Sequence, residues 1–190
     1  MNVLFLHGAG NPEADDGSFV LLRRLMDEDS LETERVIAPI LPKPDAPDSA
    51  EWVAAISDHI TRLEAATTII THSLGGSCCL HALASQPPSP YVRHLILVAA
   101  PHWGTDPDWS AASFVLPDHY HKDLHWIETI DLVYSNSDEI VPIQHMSLYQ
   151  SDLPRARTHV ISDSNHTFRH GDLAMLIALL KKYCQVTVNG

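Results

Sequence analysis

Cysteine is scarce: the three in the chain are Cys78, its neighbour Cys79 and Cys184. No pair of them makes a disulfide framework and no C-x-x-C occurs, so reduced thiols in a reducing compartment are expected. Long apolar runs are missing as well. None approaches the ~20 residues that span a bilayer. The stretch Met1 to Gly8 is apolar for too few residues, and lacks the positive leading segment, of a secretory signal. A cytoplasmic location is therefore the expectation. Basic residues are few, 12 Lys and Arg against 24 Asp and Glu, for a formal net charge of −12. No Lys/Arg cluster and no glycine-rich phosphate loop with a lysine is present. Such a surface repels phosphate backbones and anionic membranes, which argues against nucleic-acid partners. Neither H-E-x-x-H nor a Cys/His framework appears, so neither a metal nor any other cofactor is expected.

What is present is an alternation of short apolar strands and amphipathic helices, within a length of 190 residues that suits one domain. The run Val3 to Leu6 reads as a first strand, ending in His7-Gly8. Residues from about Ser18 to Asp29 follow with Phe19, Leu22, Leu25 and Met26 at helical spacing. Arg35 to Ala38 is a second strand. The loop from Pro39 to Asp48 holds four prolines. Ser49 can cap the next helix, whose stripe is Trp52, Ile56, Ile60 and Leu63. Thr67 to Thr71 is a β-branched third strand, and Leu74 to Ala84 a helix stopped by Pro87-Pro88. His94 to Ala99 is a fourth strand. The segment from Pro101 to Lys122 has no clean period and reads as a loop or small cap beside the site. A short helix near Asp123 to Glu128, a fifth strand Thr129 to Tyr134, a helix from Pro142 to about Gln150, a sixth strand Thr158 to Ile161 and a helix Gly171 to Tyr183 complete the pattern. The last helix turns Leu173, Leu176, Ile177 and Leu180 inward.

Strands alternating with helices predict a parallel sheet covered on both faces. The expected strand order is 2-1-3-4-5-6, doubly wound, with its switch point between strands 1 and 3. Ligands in such sheets bind at the carboxyl ends of the strands near that point. Thr71-His72-Ser73-Leu74-Gly75-Gly76 follows strand 3 and opens a helix. It resembles the G-x-S-x-G nucleophile elbow of α/β-hydrolases, which presents a serine on a tight strand-to-helix turn. The first glycine of that motif is Thr71 here, a departure expected to shift the strand–helix approach slightly. Taken alone, a serine at this place is equally a helix cap.

The rest of the chain gives the serine its partners. A serine nucleophile needs a base, and the α/β-hydrolase order is Ser, then Asp or Glu, then His. Asp138 lies after strand 5, in Ser135-Asn136-Ser137-Asp138-Glu139-Ile140-Val141-Pro142. His166 lies after strand 6, in Ser162-Asp163-Ser164-Asn165-His166. The resemblance implies Ser73 as nucleophile, His166 as base and Asp138 as the acid that orients it. It also implies oxyanion donors at the backbone of Leu74 and, in the loop His7-Gly8-Ala9-Gly10-Asn11, of Ala9. Gly10, Asn11, His102 and Trp103 are the expected substrate contacts. Size and motif positions are similar to the small serine hydrolases of the retinoblastoma-binding protein nine family, as is the stretch around Trp126. Thr71 to Gly76 looks equally like the G-H-S-L-G-G box of lipases and thioesterases, and Ala100-Pro101-His102-Trp103-Gly104 resembles the loop after the fourth strand in lipase-like members.

Competing residues have plainer readings. Asp131 starts strand 5, at the far end of the sheet; Asp163 reads as a turn residue and Glu139 as exposed. His72 is expected to pack the elbow and His7 to shape the oxyanion loop. His119, His121 and His125, near Asp118 and Asp123, read as a solvated cap segment rather than a zinc site. Trp103 and Trp109 either wall an acyl group or pack the cap. Cys78 and Cys79 read as packing residues. The expected reaction is hydrolysis of a small acyl ester or thioester through an acyl-enzyme. Two alternatives stand beside it: an amidase or peptidase on the same triad, and a non-catalytic binding module on the same fold.

Overall fold

The computed structural model describes residues 2–27 and 35–185. Strands β1 (Asn2–Leu6), β2 (Arg35–Ile37), β3 (Thr67–His72), β4 (Val92–Val98), β5 (Thr129–Ser135) and β6 (Arg157–Ile161) form one six-stranded sheet. All its pairings are parallel, in the order β2-β1-β3-β4-β5-β6. This is the expected doubly wound α/β sheet, with the order reversing between β1 and β3.

Alternation along the strands explains the two covered faces. Val3, Phe5, Ile70, Ile96, Val98 and Val133 point to one face. There they pack against Leu21, Leu22 and Leu25 of α1 (Phe19–Asp27) and Leu176, Leu180 and Tyr183 of α5 (Ala174–Gln185). Leu4, Leu6, Ile69, Leu95, Leu97, Leu132 and Tyr134 point to the other. Their partners are α2 (Ser49–Thr61), α3 (Leu74–Ser85) and α4 (Gln144–Asp152), through Trp52, Ile56, Leu80, Leu83 and Tyr149. At about 25 cal/mol per Å² of apolar surface, each such buried side chain contributes roughly 1.5–3 kcal/mol. No helix among the described residues is long and apolar enough to cross a membrane.

Several local expectations are corrected. Met26 is not in the α1 stripe: it is 50% exposed, while Val20, Leu21, Leu22 and Leu25 are buried. Apolar spacing sets the period of a helix but not its phase. Residues 28 and 29 of that expected helix lie outside the described residues, as does the side chain of Cys184. Asp48, not Ser49, caps α2, because its carboxylate accepts from the Glu51 amide at 2.9 Å while Ser49 is already in the first turn. Pro142 sits ahead of α4 in a tighter turn that its carbonyl closes with the His145 amide. Tyr120–Leu124 forms a 3₁₀ turn in place of the short helix expected slightly later. Leu173 is buried ahead of α5, and Ile177 is only partly buried.

The β4–β5 connection, residues 99–128, contains three short 3₁₀ turns, Pro107–Trp109, Ala112–Phe114 and Tyr120–Leu124, and no α-helix. It runs along α3, where Trp103, Trp109, Phe114 and Leu116 pack onto the core and the Val115 carbonyl accepts from His81.

Candidate active site

Ser73 is the hinge between β3 and α3. Its backbone is held at φ 51°, ψ −130°, a left-handed conformation that costs a non-glycine residue about 1–3 kcal/mol. The Ser73 amide donates to the Val98 carbonyl at 2.9 Å, which ties the turn to β4. So sharp a turn needs close backbones. A Cβ on Gly75 would lie 2.3 Å from the His7 carbonyl oxygen, and one on Gly8 2.8 Å from Ser73 Cβ. Thr71 is fully buried where the motif has its first glycine. The space is left by Gly76 instead, whose Cβ would meet Ala100 Cβ at 2.6 Å and Thr71 Oγ1 at 2.9 Å.

Asp138 and His166 come together from the loops after β5 and β6. His166 Nδ1 lies 2.8 Å from Asp138 Oδ2, and Asp138 Oδ1 accepts from the amides of Ile140 and Val141. The Asp138 side chain is fully shielded from solvent and that of His166 is 12% exposed. Burial alone would raise the Asp138 pKa. The hydrogen bond and charge of His166, with the two amides, outweigh burial and hold the carboxyl below its ordinary value. An ionised Asp138 accepts a hydrogen bond from Nδ1–H of His166, which leaves Nε2 as the unprotonated, basic atom. Among the described residues Ser73 Oγ makes no hydrogen bond.

The other acids lie elsewhere. Asp131 is buried in β5 and pairs with Arg157, His159 and the Tyr183 hydroxyl. Asp163 is an exposed turn residue at φ 56°. Glu139 is exposed, yet it accepts from the His166 amide at 3.3 Å.

In the loop after β1, the Gly8 amide donates to Ser18 Oγ and the Gly10 amide to the Pro44 carbonyl, both at 2.8 Å. Among the described residues the amides of Ala9 and Leu74 have no acceptor. His7 lies beneath this loop. Its Nε2 accepts from the Leu41 amide and its Nδ1 donates to the Gly8 carbonyl. Burial lowers its pKa, so it is neutral. Asn11 is exposed, and its Oδ1 is engaged by the Glu13 amide.

His102 and Trp103 lie on the β4–β5 connection. They line a cavity of about 340 Å³ whose walls do not include Ser73, Asp138 or His166. His102 bridges Thr105 and Asp152, while Trp103 donates to Ser77 Oγ and packs on Trp109 and Phe114. Cys78 and Cys79 are buried, and burial pushes the Cys78 thiol up to about 12. Among the described residues no group of three His, Cys, Asp or Glu side chains is placed to hold a metal ion.

Sequence reasoning overlooked residues that brace the site. Arg24 of α1 donates to the carbonyls of Phe168, His170 and Gly171 and so pins the far end of the His166 loop. Ser135 Oγ donates to the Ser164 carbonyl in the same loop. His72, expected only to pack, bridges Ser18 Oγ and the His166 carbonyl. No local pattern marks these residues, because each bond joins positions far apart in the chain.

A family model described as serine hydrolase matches residues 4–171. No curated protein sequence matches the chain. Among solved structures, the ydeN gene product of B. subtilis superposes with a TM-score of 0.77 at 18% identity, over 96% of this chain and 98% of that one. Carboxylesterase structures from Nitrososphaera gargenis include one at 0.70 and 14% identity, over 100% and 92%. Est1E from Butyrivibrio proteoclasticus, solved with ferulic acid, matches at 0.68 and 13% identity, over 100% and 90%. At these identities the likeness is one of fold.

Proposed function

The chain belongs to the serine hydrolase family, and from that premise we propose that it cleaves carboxylic esters, small acyl esters or thioesters foremost, through an acyl-enzyme on Ser73. The supporting observation is the 2.8 Å His166–Asp138 pair, which leaves Nε2 of a largely buried imidazole, packed on the His72 ring next to Ser73 in sequence, as the unprotonated base.

In this reading His166 Nε2 takes the Ser73 proton as Oγ attacks the ester carbonyl. The carbonyl π electrons move onto oxygen, and the Ala9 and Leu74 amides receive that oxyanion. Asp138 stabilises the imidazolium and keeps its tautomer. His166 then returns the proton to the departing alkoxide or thiolate as its bond to carbon breaks. Water enters, loses a proton to Nε2 and attacks the acyl-enzyme; as the carbon–Oγ bond breaks, Nε2 returns that proton to Ser73 Oγ, and the carboxylic acid departs. Gly10 and Asn11, on the rim beside Ala9, are the proposed substrate contacts. Ser73 is partly exposed at its turn, which favours short acyl groups over chains that need a deep tunnel.

Steady-state hydrolysis of nitrophenyl acetate, butyrate and octanoate, with Ser73→Ala beside the wild type, tests the proposal. The expected result is turnover that falls with acyl length and vanishes in the variant. Turnover retained by Ser73→Ala would exclude Ser73 as nucleophile.

A further inference from the structure

Gly8, Ser18, His72 and His166 are connected by hydrogen bonds whose directions are all determined. The His166 carbonyl can only accept, so His72 Nε2, at 2.8 Å, carries a proton and donates. Burial, with the neighbouring His166 charge, holds the His72 pKa down to about 3, so the ring is neutral and Nδ1 is bare. Ser18 Oγ, 2.8 Å from Nδ1, therefore donates its hydroxyl proton to it. That leaves the Ser18 oxygen to accept the Gly8 amide, also at 2.8 Å. Ser18 and His72 are both buried, so water does not compete for these bonds. The His72 ring also packs on the His166 ring, with centroids 4.8 Å apart.

We propose that Ser18 and His72 are positioning residues that lock the oxyanion loop and the base loop to each other. At one end the chain of bonds fixes the His7–Gly8 peptide, the unit before the one that carries the Ala9 amide. The Gly10–Pro44 bond fixes the peptide following it, so the Ala9 amide is held between two anchored neighbours. At the other end it fixes the main chain and one ring face of His166. Neither residue touches the substrate. Their contribution is to hold a proton acceptor and an oxyanion donor, on loops after β6 and β1, in one register with Ser73. The inference rests on the catalytic reading of Ser73 and His166.

The test compares wild type, Ser18→Ala and Ser18→Thr on nitrophenyl acetate, with fluorophosphonate labelling of each. A displacement of about 1 Å at a reacting group costs roughly 10²-fold. Ser18→Ala is therefore expected to lose about 10–100-fold in kcat at nearly unchanged KM. Ser18→Thr, which keeps the hydroxyl, is expected to recover most of that loss. Long-range ¹⁵N spectra give a readout independent of turnover. In the wild type they should show His72 with protonated Nε2 and bare Nδ1 from pH 8 to about 5, and in Ser18→Ala the Nδ1 resonance should move as its donor is lost. A folded Ser18→Ala with wild-type kcat and labelling, or a His72 protonated at Nδ1, overturns the proposal. A wild type that is inert to the probe overturns the catalytic reading beneath it, a different outcome from an active enzyme indifferent to Ser18.

Discussion

Gly75→Ala places a methyl between two backbones that cannot rotate aside. Its Cβ would lie 2.3 Å from the His7 carbonyl oxygen and 2.8 Å from that of Leu6. Ordinary carbon–oxygen contacts begin near 3.3 Å, so α3 and the end of β1 must part by about 1 Å. Overpacking of this kind costs about 1–3 kcal/mol. The upper end applies because both partners are main chain, which gives a fall in Tm of roughly 6–12 °C for a domain of this size. The displaced segments carry Ser73 on one side and Gly8-Ala9 on the other, so labelling of Ser73 should slow by about 10²-fold. Gly10→Ala is the control. Its φ of +85° strains an alanine, yet nothing lies within 4 Å of the new methyl, so only about 1–2 kcal/mol is expected. Scanning calorimetry and fluorophosphonate labelling read both effects. A Gly75→Ala protein with wild-type Tm and labelling rate, or a Gly10→Ala protein whose Tm falls as far as that of Gly75→Ala, would refute the close-approach reasoning.

Further outcomes follow from the carboxylates and the buried imidazoles. Asp138→Asn should lower kcat by about 10⁴-fold with little change in Tm, since it alters the tautomer of His166 and leaves the packing intact; esterase assays and calorimetry on one preparation decide this. Asp131→Ala should do the reverse: removing the carboxylate shared by Arg157 and His159 strands a partly buried charge. It should cost about 3 kcal/mol while Ser73 still labels below the melt, and urea titration gives the value. Acid should destabilise the fold well before pH 4. The unfolded chain binds a proton at His72 below about pH 6.5, whereas the folded chain does so only at about 3. Within that window His72 alone removes about 1.4 kcal/mol per pH unit as pH falls. His7, His94 and His145, lowered mainly by burial, act with the same sign. The stabilising contribution of Asp138 is lost later, as pH falls from its ordinary value through its depressed one. Urea midpoints that stay flat from pH 7 to pH 5 would contradict this.

The fold was legible because its signals are local. A strand such as Val3 to Leu6 is a continuous apolar run, Trp52, Ile56 and Ile60 mark one helix face, and the βα alternation restricts how strands can be ordered. The placement of Ser73, Asp138 and His166 was legible because each follows a strand, and parallel topology carries those loops to one edge. Phase and contact were less legible. Met26 and Leu25 look alike in a periodic pattern, and only packing against Val3, Phe5 and Ile70 separates them. Asp48 and Ser49 are both good caps, and the choice depends on where the chain enters α2. Ser18 and Arg24 could not be recognised as braces, because their partners His72 and Phe168 are 54 and 144 positions away. Thr71 departs from the elbow motif, and the room its side chain needs is left by Gly76, a compensation visible only in three dimensions.

The central claim is that Ser73 is a nucleophile activated by His166, and its most direct test is mass-spectrometric location of a fluorophosphonate adduct. A single adduct on Ser73, absent from Ser73→Ala and slowed by at least about 10²-fold in His166→Ala, is the predicted result. A folded wild-type protein left unlabelled, or labelled at another residue, would contradict the account.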